Sequence, residues 1–131
     1  MAGVAVGMDA WKGKMTYEAW ANVNRRGHHN RMHNHPGAHW SGIYYVDPGD
    51  RDPSDGDSGK IEFPDPRSFA QMTTIPGNPF GRQLTFRPRA GQILIFPSFL
   101  NHTVHTYDGE GARISIAFNA NMGRAHPDQT Y

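Results

Sequence analysis

Apolar and polar positions alternate with period two in several short segments of this chain. That pattern predicts β-strands rather than helices. In the clearest segment, Arg113-Ile-Ser-Ile-Ala-Phe-Asn119, residues Arg113, Ser115, Ala117 and Asn119 share one face and Ile114, Ile116 and Phe118 the other. Trp40 to Val46 and Ile93 to Phe96 are rich in Ile, Tyr, Val and Phe and bounded by turn residues, so they also predict strands. Lys60 to Phe63, Leu84 to Arg87 and His102 to Tyr107 are weaker candidates. Fifteen Gly and ten Pro punctuate almost every stretch and leave little room for long helices. The longest interval free of both, Lys14 to Arg26, suits a short helix or a strand; the pattern favours a strand from about Trp20. Trp20, Trp40, Phe96, Phe118 and Tyr44 are expected in the core.

Asp47 to Gly59 is a loop by composition, dominated by Asp, Gly, Pro and Ser. Its aspartates lack the spacing and terminal Glu of an EF-hand, so they read as a solvated acidic loop. Ile75 to Gly81 is a second turn cluster. The 131 residues fit one domain, with a core expected over about 20–119 and peripheral tails at 1–14 and 120–131. Many short strands at regular turn spacing predict an all-β sandwich or barrel.

A formal net charge of +1 argues against nucleic acid as a partner. Arg25-Arg26 and the arginines between Arg82 and Arg89 are the local basic concentrations, and both read as solvated faces. The absence of cysteine excludes disulfides, thiolate metal sites and cysteine nucleophiles, and fits a reducing cytoplasm. The first residues, Met1 to Met8, lack a basic region and a long apolar stretch, so they do not read as a signal peptide. No run approaches the ~18 apolar residues of a membrane span. A soluble cytoplasmic protein is expected.

The candidate chemistry lies in histidines. Residues two apart on a strand project from one face, so His33-Asn-His35 aims two imidazoles at one point, as a metal centre requires. His102, after Phe96-Pro-Ser-Phe-Leu-Asn, is the candidate third ligand. Its local rival His105 falls on the opposite strand face. The bland alternative for His33 and His35 is a pair of surface or hydrogen-bonded histidines. His28, His29, His39 and His126 read as surface residues, with His39 within reach of the site rim.

Two glycine-anchored patterns coincide here. Gly27, five residues and His33-x-His35 resembles the first cupin motif without its Glu; Gly91, five residues, Pro97 and then His102 resembles the second without its usual glycine. Arg113-x-Ser115, some ten residues after His102, resembles the signature of 2-oxoglutarate-dependent oxygenases. Taken together, Asn30-x-x-His33-x-His35-Pro36, Ser41-Gly-x-Tyr-Tyr-Val46, Phe96-Pro-Ser-Phe-Leu-x-His102 and Arg113-Ile-Ser-Ile-Ala-Phe-Asn119 resemble the family of 2-oxoglutarate–Fe(II) oxygenases, over about Trp20 to Asn119. The resemblance implies a double-stranded β-helix with Fe(II) held by His33, His35 and His102. It implies that 2-oxoglutarate is gripped by Arg113, Ser115 and Tyr45, with Asn30 on the cofactor side. The expected activity is dioxygenation, by hydroxylation of a small molecule or side chain.

His35 stands where the commonest iron triad has Asp. Either three imidazoles hold the metal, or a carboxylate such as Asp47 or Glu62 completes the set. The alternative functions are a cupin-like three-His dioxygenase or isomerase that does not use 2-oxoglutarate, and a non-catalytic metal or ligand module. Arg113 has its own bland alternative, a pairing with a nearby carboxylate. Proteins of the resembled family carry longer N-terminal regions that back the barrel. A partner subunit, as in a homodimer, or a minimal variant of the fold would account for the sheet face left open here.

Overall fold

The computed structural model describes residues 13–50, 56–67, 76–77 and 83–123. Among these residues the regular structure is all strand: β1 (Met15–Asn24), β2 (Asn30–His33), β3 (Trp40–Asp47), β4 (Ile61–Phe63), β5 (Leu84–Phe86), β6 (Ile93–Pro97), β7 (His102–Val104) and β8 (Arg113–Met122). They pair antiparallel into two four-stranded sheets, ordered β1-β8-β3-β6 and β2-β7-β4-β5. This is an all-β jelly roll, the double-stranded β-helix. No helix among the described residues is long and apolar enough to cross a membrane.

Alternation along the strands decides what lies between the sheets. On β8 the odd residues Arg113, Ser115, Ala117 and Asn119 are buried, while Ile114, Ile116 and Phe118 on the other face are only partly covered. β8 sits between β1 and β3, so its inner residues meet Asn24, Asn22, Trp20 and Glu18 on one side and Tyr45, Ile43 and Ser41 on the other, in register. The apolar core gathers Ile43, Tyr45 and Phe96 from the first sheet against Ile61, Phe63 and Val104 from the second, flanked by Leu94 and Leu100. The inner face of the β1–β8 side is polar, so the core is confined to one half of the space between the sheets.

The structure corrects several expectations. β1 begins at Met15 rather than near Trp20, because its whole length pairs with β8. For the same reason β8 runs past Asn119, and Ala120, Asn121 and Met122 belong to the sheet rather than to a tail. β7 ends at Val104, short of Tyr107. Phe118 faces the outer side of its sheet, Tyr44 is 42% exposed there, and Trp20 is 38% exposed at the cavity mouth. Aromatic type alone predicted burial; strand parity decided it. Residues 51–55 of the Asp47–Gly59 loop, and all of Ile75–Gly81 but 76–77, lie outside the described residues.

The outer face of the β1-β8-β3-β6 sheet is apolar and open, with Tyr17, Val23, Tyr44, Val46, Ile93 and Ile95 all exposed. At its centre Phe118 lies across Gly42, where an added methyl would overlap the ring. Gly42 is therefore required for close approach. A Gly42→Val variant should lose about 1–3 kcal/mol of stability, as overpacked sites do, read as a lower urea midpoint with an unchanged slope. An unchanged midpoint would show that Phe118 can turn aside freely.

Candidate metal centre

The polar half of the sandwich opens as a cavity of about 50 Å3 whose walls include Trp20, Asn22, Asn30, His33, His35, Ser41, His102, Arg113 and Ser115. That is room for several waters or a small acid. His33, His35 and His102 converge there: their ligand atoms all lie within 4.8 Å of one another. Ring centroids are 4.3 Å apart for His33 and His102 and 5.2 Å for His35 with either neighbour. His33 closes β2 and pairs with His102 at the start of β7. His35 lies just past the strand end, its N–H donating to the Ser98 carbonyl at 3.0 Å. Its side chain keeps the side of His33 although the ladder has stopped.

The protein orients two of the rings through their backs. His102 Nδ1 lies 3.0 Å from the Leu100 carbonyl and His33 Nδ1 lies 2.6 Å from the Arg31 carbonyl. A carbonyl only accepts, so each Nδ1 carries the proton and each Nε2 lone pair is left for a metal. Burial pulls the His102 pKa down to about 4, against a smaller upward pull from the Leu100 carbonyl. Burial also lowers His35, helped by His33 and opposed by Glu18. Imidazoles held neutral at pH 7 are ready to coordinate.

Neither carboxylate considered as a replacement for His35 joins the cluster. Glu62 points to the outer side of its sheet, where it meets His105 Nε2 at 3.0 Å, which also removes His105 as a third ligand. Asp47 accepts from the Gly49 N–H in its own turn. His39 is engaged by the Met122 N–H at 2.9 Å.

Beyond the imidazoles, four residues along β8 from Ala117, Arg113 is 2% exposed. Its Nε donates to the Gly59 carbonyl at 3.2 Å and its Nη1 to Asn24 Oδ1 at 3.3 Å. Neither partner is a carboxylate, and among the described residues no ion pair reaches it. Gly59 lies at φ +65, and a side chain there would press on Arg113 Cδ, so glycine serves both the turn and the guanidinium. Tyr45 is fully buried beside it, 5.3 Å from ring centroid to guanidinium carbon. Among the described residues Arg113 Nη2 and Tyr45 Oη make no hydrogen bond of good geometry, though the phenol and the guanidinium lie close enough to attract each other. Burial pushes the Tyr45 phenol up to about 12 and lowers the Arg113 pKa, so Tyr45 stays a neutral donor. Ser115 lies between this pair and the histidines, in register with both Tyr45 and Asn22. Asn30 contributes to the cavity wall, and its carbonyl accepts from Thr103 Oγ1 at 2.8 Å.

Residues 18–119 match the model of the family described as "Putative 2OG-Fe(II) oxygenase", where 2OG is 2-oxoglutarate. The chain belongs to this family. Among solved structures it is similar to an oxidoreductase of the 2OG-Fe(II) oxygenase family from Burkholderia pseudomallei, at 14% identity and TM-score 0.61, over 90% of this chain and 51% of that one. It is also similar to a prolyl-4-hydroxylase from Pseudomonas putida, at 17% identity and TM-score 0.60, over 92% of this chain and 60% of that one. A prolyl 4-hydroxylase from Phytophthora capsici aligns at 14% identity and TM-score 0.54, over 92% of this chain and 38% of that one. At these identities the likeness is one of fold, and the chain spans about half to three-fifths of the first two. No curated protein matches it in sequence.

The β1 contribution to this oxygenase-family cavity, from Trp20 and Asn22, carries no sequence motif. Glu18, Trp20, Asn22 and Asn24 occupy alternate positions, a period-two signal that becomes legible once β1 is known to pair with β8.

The histidine shifts fix a pH dependence. An unfolded histidine takes its proton near pH 6.5, whereas folded His102 waits until about pH 4. Between those values the unfolded chain binds more protons, so stability is fully present above about 6.5 and is lost as pH falls toward 4. Metal-free, chelator-treated protein should therefore show a urea midpoint that drops between about pH 7 and about pH 4.5, with His102→Gln flattening the drop. A midpoint that does not move across this window would contradict the buried neutral imidazole.

Proposed function

We propose that this chain is an Fe(II)- and 2-oxoglutarate-dependent dioxygenase that hydroxylates a small molecule or side chain in a reducing compartment such as the cytoplasm. The observation that carries the reading is the buried pair Arg113 Nη2 and Tyr45 Oη, beyond the three imidazoles, which among the described residues lack a hydrogen bond of good geometry. An unpartnered buried donor is costly. A carboxylate placed there would satisfy both donors and neutralise the guanidinium, whose planar fork matches it.

His33, His35 and His102 supply three nitrogen donors of a type that holds divalent iron and leave its other positions open. Bound iron would supply the oxygen chemistry: oxidative decarboxylation of 2-oxoglutarate to succinate and CO2, coupled to oxidation of a substrate C–H bond. The chain's own residues do the rest. Arg113 and Tyr45 grip the far carboxylate of the acid, and the Ser115 hydroxyl stands between them and the histidines. Asn30 closes the wall on the cofactor side. No side chain is required as general acid or base. Three neutral ligands leave the cation at about +2, one unit more than a set with one carboxylate, and this favours an anionic cosubstrate.

The set of three histidines without a carboxylate also suits a cupin-like enzyme that does without 2-oxoglutarate. The two readings differ at Arg113. Under anaerobic conditions, Fe(II)-loaded protein titrated with 2-oxoglutarate should develop a charge-transfer absorbance, and release succinate when air is admitted. Arg113→Ala should weaken 2-oxoglutarate binding at least about thirtyfold, the consequence of losing a charged hydrogen-bonding partner, while retaining its iron. Tyr45→Phe should weaken it by up to about tenfold. Iron-loaded protein that neither binds 2-oxoglutarate nor responds to Arg113→Ala would remove the dioxygenase reading and leave the cupin-like one.

A further inference from the structure

On the side away from Arg113, the inner face of β1 carries two exposed residues in succession, the first of them, Trp20, in the cavity wall. Trp20 pairs with Ala117 and Glu18 with Asn119, so an indole and a carboxylate stand two residues apart on one face, about 6.6 Å along the strand. The Trp20 ring lies 5.8 Å from that of His35, placing this pair beside the histidine cluster.

Glu18 is held in place. Asn119 Nδ2 donates to Glu18 Oε1 at 2.7 Å, and Asn119 Oδ1 accepts from Ser41 Oγ at 2.8 Å. Asn119 and Ser41 are both buried, and Ser41 is part of the cavity wall. A relay of neutral groups thus fixes the direction of a carboxylate without neutralising it. Elsewhere Asp57, Glu62, Asp65 and Glu110 each have a basic side chain in contact. Glu18 has no such partner among the described residues, and His35 senses its charge.

We propose that Glu18 and Trp20 form a substrate subsite for a positively charged group, an ammonium or guanidinium. The carboxylate is the charge partner and the exposed indole is the surface over which the cation or its alkyl stem lies. A fixed anion beside an aromatic face is a favourable environment for a cation and an unfavourable one for an anion. This rests on the oxygenase reading for what is done to the substrate, and it assigns that substrate's chemical class. The acid-binding end at Arg113 and the carboxylate at Glu18 lie at opposite ends of the β1–β8 face. An anionic cosubstrate and a cationic substrate are thereby sorted by charge.

The test measures binding, with Zn(II) in place of iron so that no turnover intervenes. Protein loaded with Zn(II) and 2-oxoglutarate is titrated by NMR with the N-acetyl methylamides of lysine and arginine, and with the uncharged norleucine analogue. The cationic probes should bind about tenfold more tightly than norleucine, with shifts at Trp20 and Asn119. Glu18→Gln should abolish most of that preference, Glu18→Asp should retain part of it, and added salt should weaken it. Absence of saturable cation binding, or a preference that survives Glu18→Gln in folded protein, would overturn the proposal. Binding of 2-oxoglutarate is followed in the same samples. Its failure would strike the oxygenase reading, while the probes, titrated into the Zn(II) protein alone, would still decide the subsite.

Discussion

A guanidinium enclosed between two sheets is costly to bury, and Arg113 is enclosed without a carboxylate among the described residues to meet it. The fold supplies the Gly59 carbonyl and the Asn24 amide oxygen, and lays Tyr45 alongside. Among the described residues one guanidinium nitrogen and the neighbouring phenol remain without a well-formed hydrogen bond. The placement is enforced by β8, paired along its length with β1 on one side and held by β3 on the other. A register slip of one residue would turn Ile114, Ile116 and Phe118 inward and Arg113 out. The polar inner row and the outer apolar row are therefore fixed by the same pairing.

That row has a gradient. Arg113 with Asn24 and Tyr45 makes a cationic, donor-rich end; Ser115 with Asn22 follows; Ala117 with Trp20 lies at the level of His35; Asn119 with Glu18 forms an anionic mouth. The histidines come from the other side, on β2, its C-terminal extension and β7. Two carbonyls, of Arg31 and Leu100, turn the Nε2 atoms of His33 and His102 toward the cavity. Each sheet thus supplies one part of the proposed chemistry, the acid grip from one and most of the metal ligands from the other. The apolar core beside them, centred on Phe63 and Phe96, keeps the two at a fixed separation.

Much of this was legible in the chain because strand parity is a local property. The alternation from Arg113 to Asn119 indicated which residues share a face, though not which face is inner, and the glycine-anchored histidine patterns indicated which imidazoles meet. Tyr45 was preferred to Tyr44 through the resemblance of Ser41-Gly-x-Tyr-Tyr-Val46 to an oxygenase strand, and its register with Ser115 places it inward. What local pattern could not carry was long-range pairing. Nothing near Trp20 shows that its strand runs back to Met15, since that follows from the length of β8, about a hundred residues later. Trp20 and Phe118 looked like core because they are aromatic, yet one edges the cavity mouth and the other covers Gly42 from outside. Glu62 remained a candidate ligand until its pairing with His105 placed it on the outer side of β4.

The proposed chemistry requires that Arg113 Nη2 and Tyr45 Oη face the same small acid that a metal between the imidazoles would hold. A crystal structure of protein loaded with Mn(II) and N-oxalylglycine, with the metal located by anomalous scattering, decides it most directly. The expected result is a metal peak among His33, His35 and His102, with the distal carboxylate of the acid within hydrogen-bond distance of Arg113 Nη2 and Tyr45 Oη. A metal bound elsewhere, or an acid whose distal carboxylate points to the Glu18 mouth while Arg113 stays unpartnered, would contradict it.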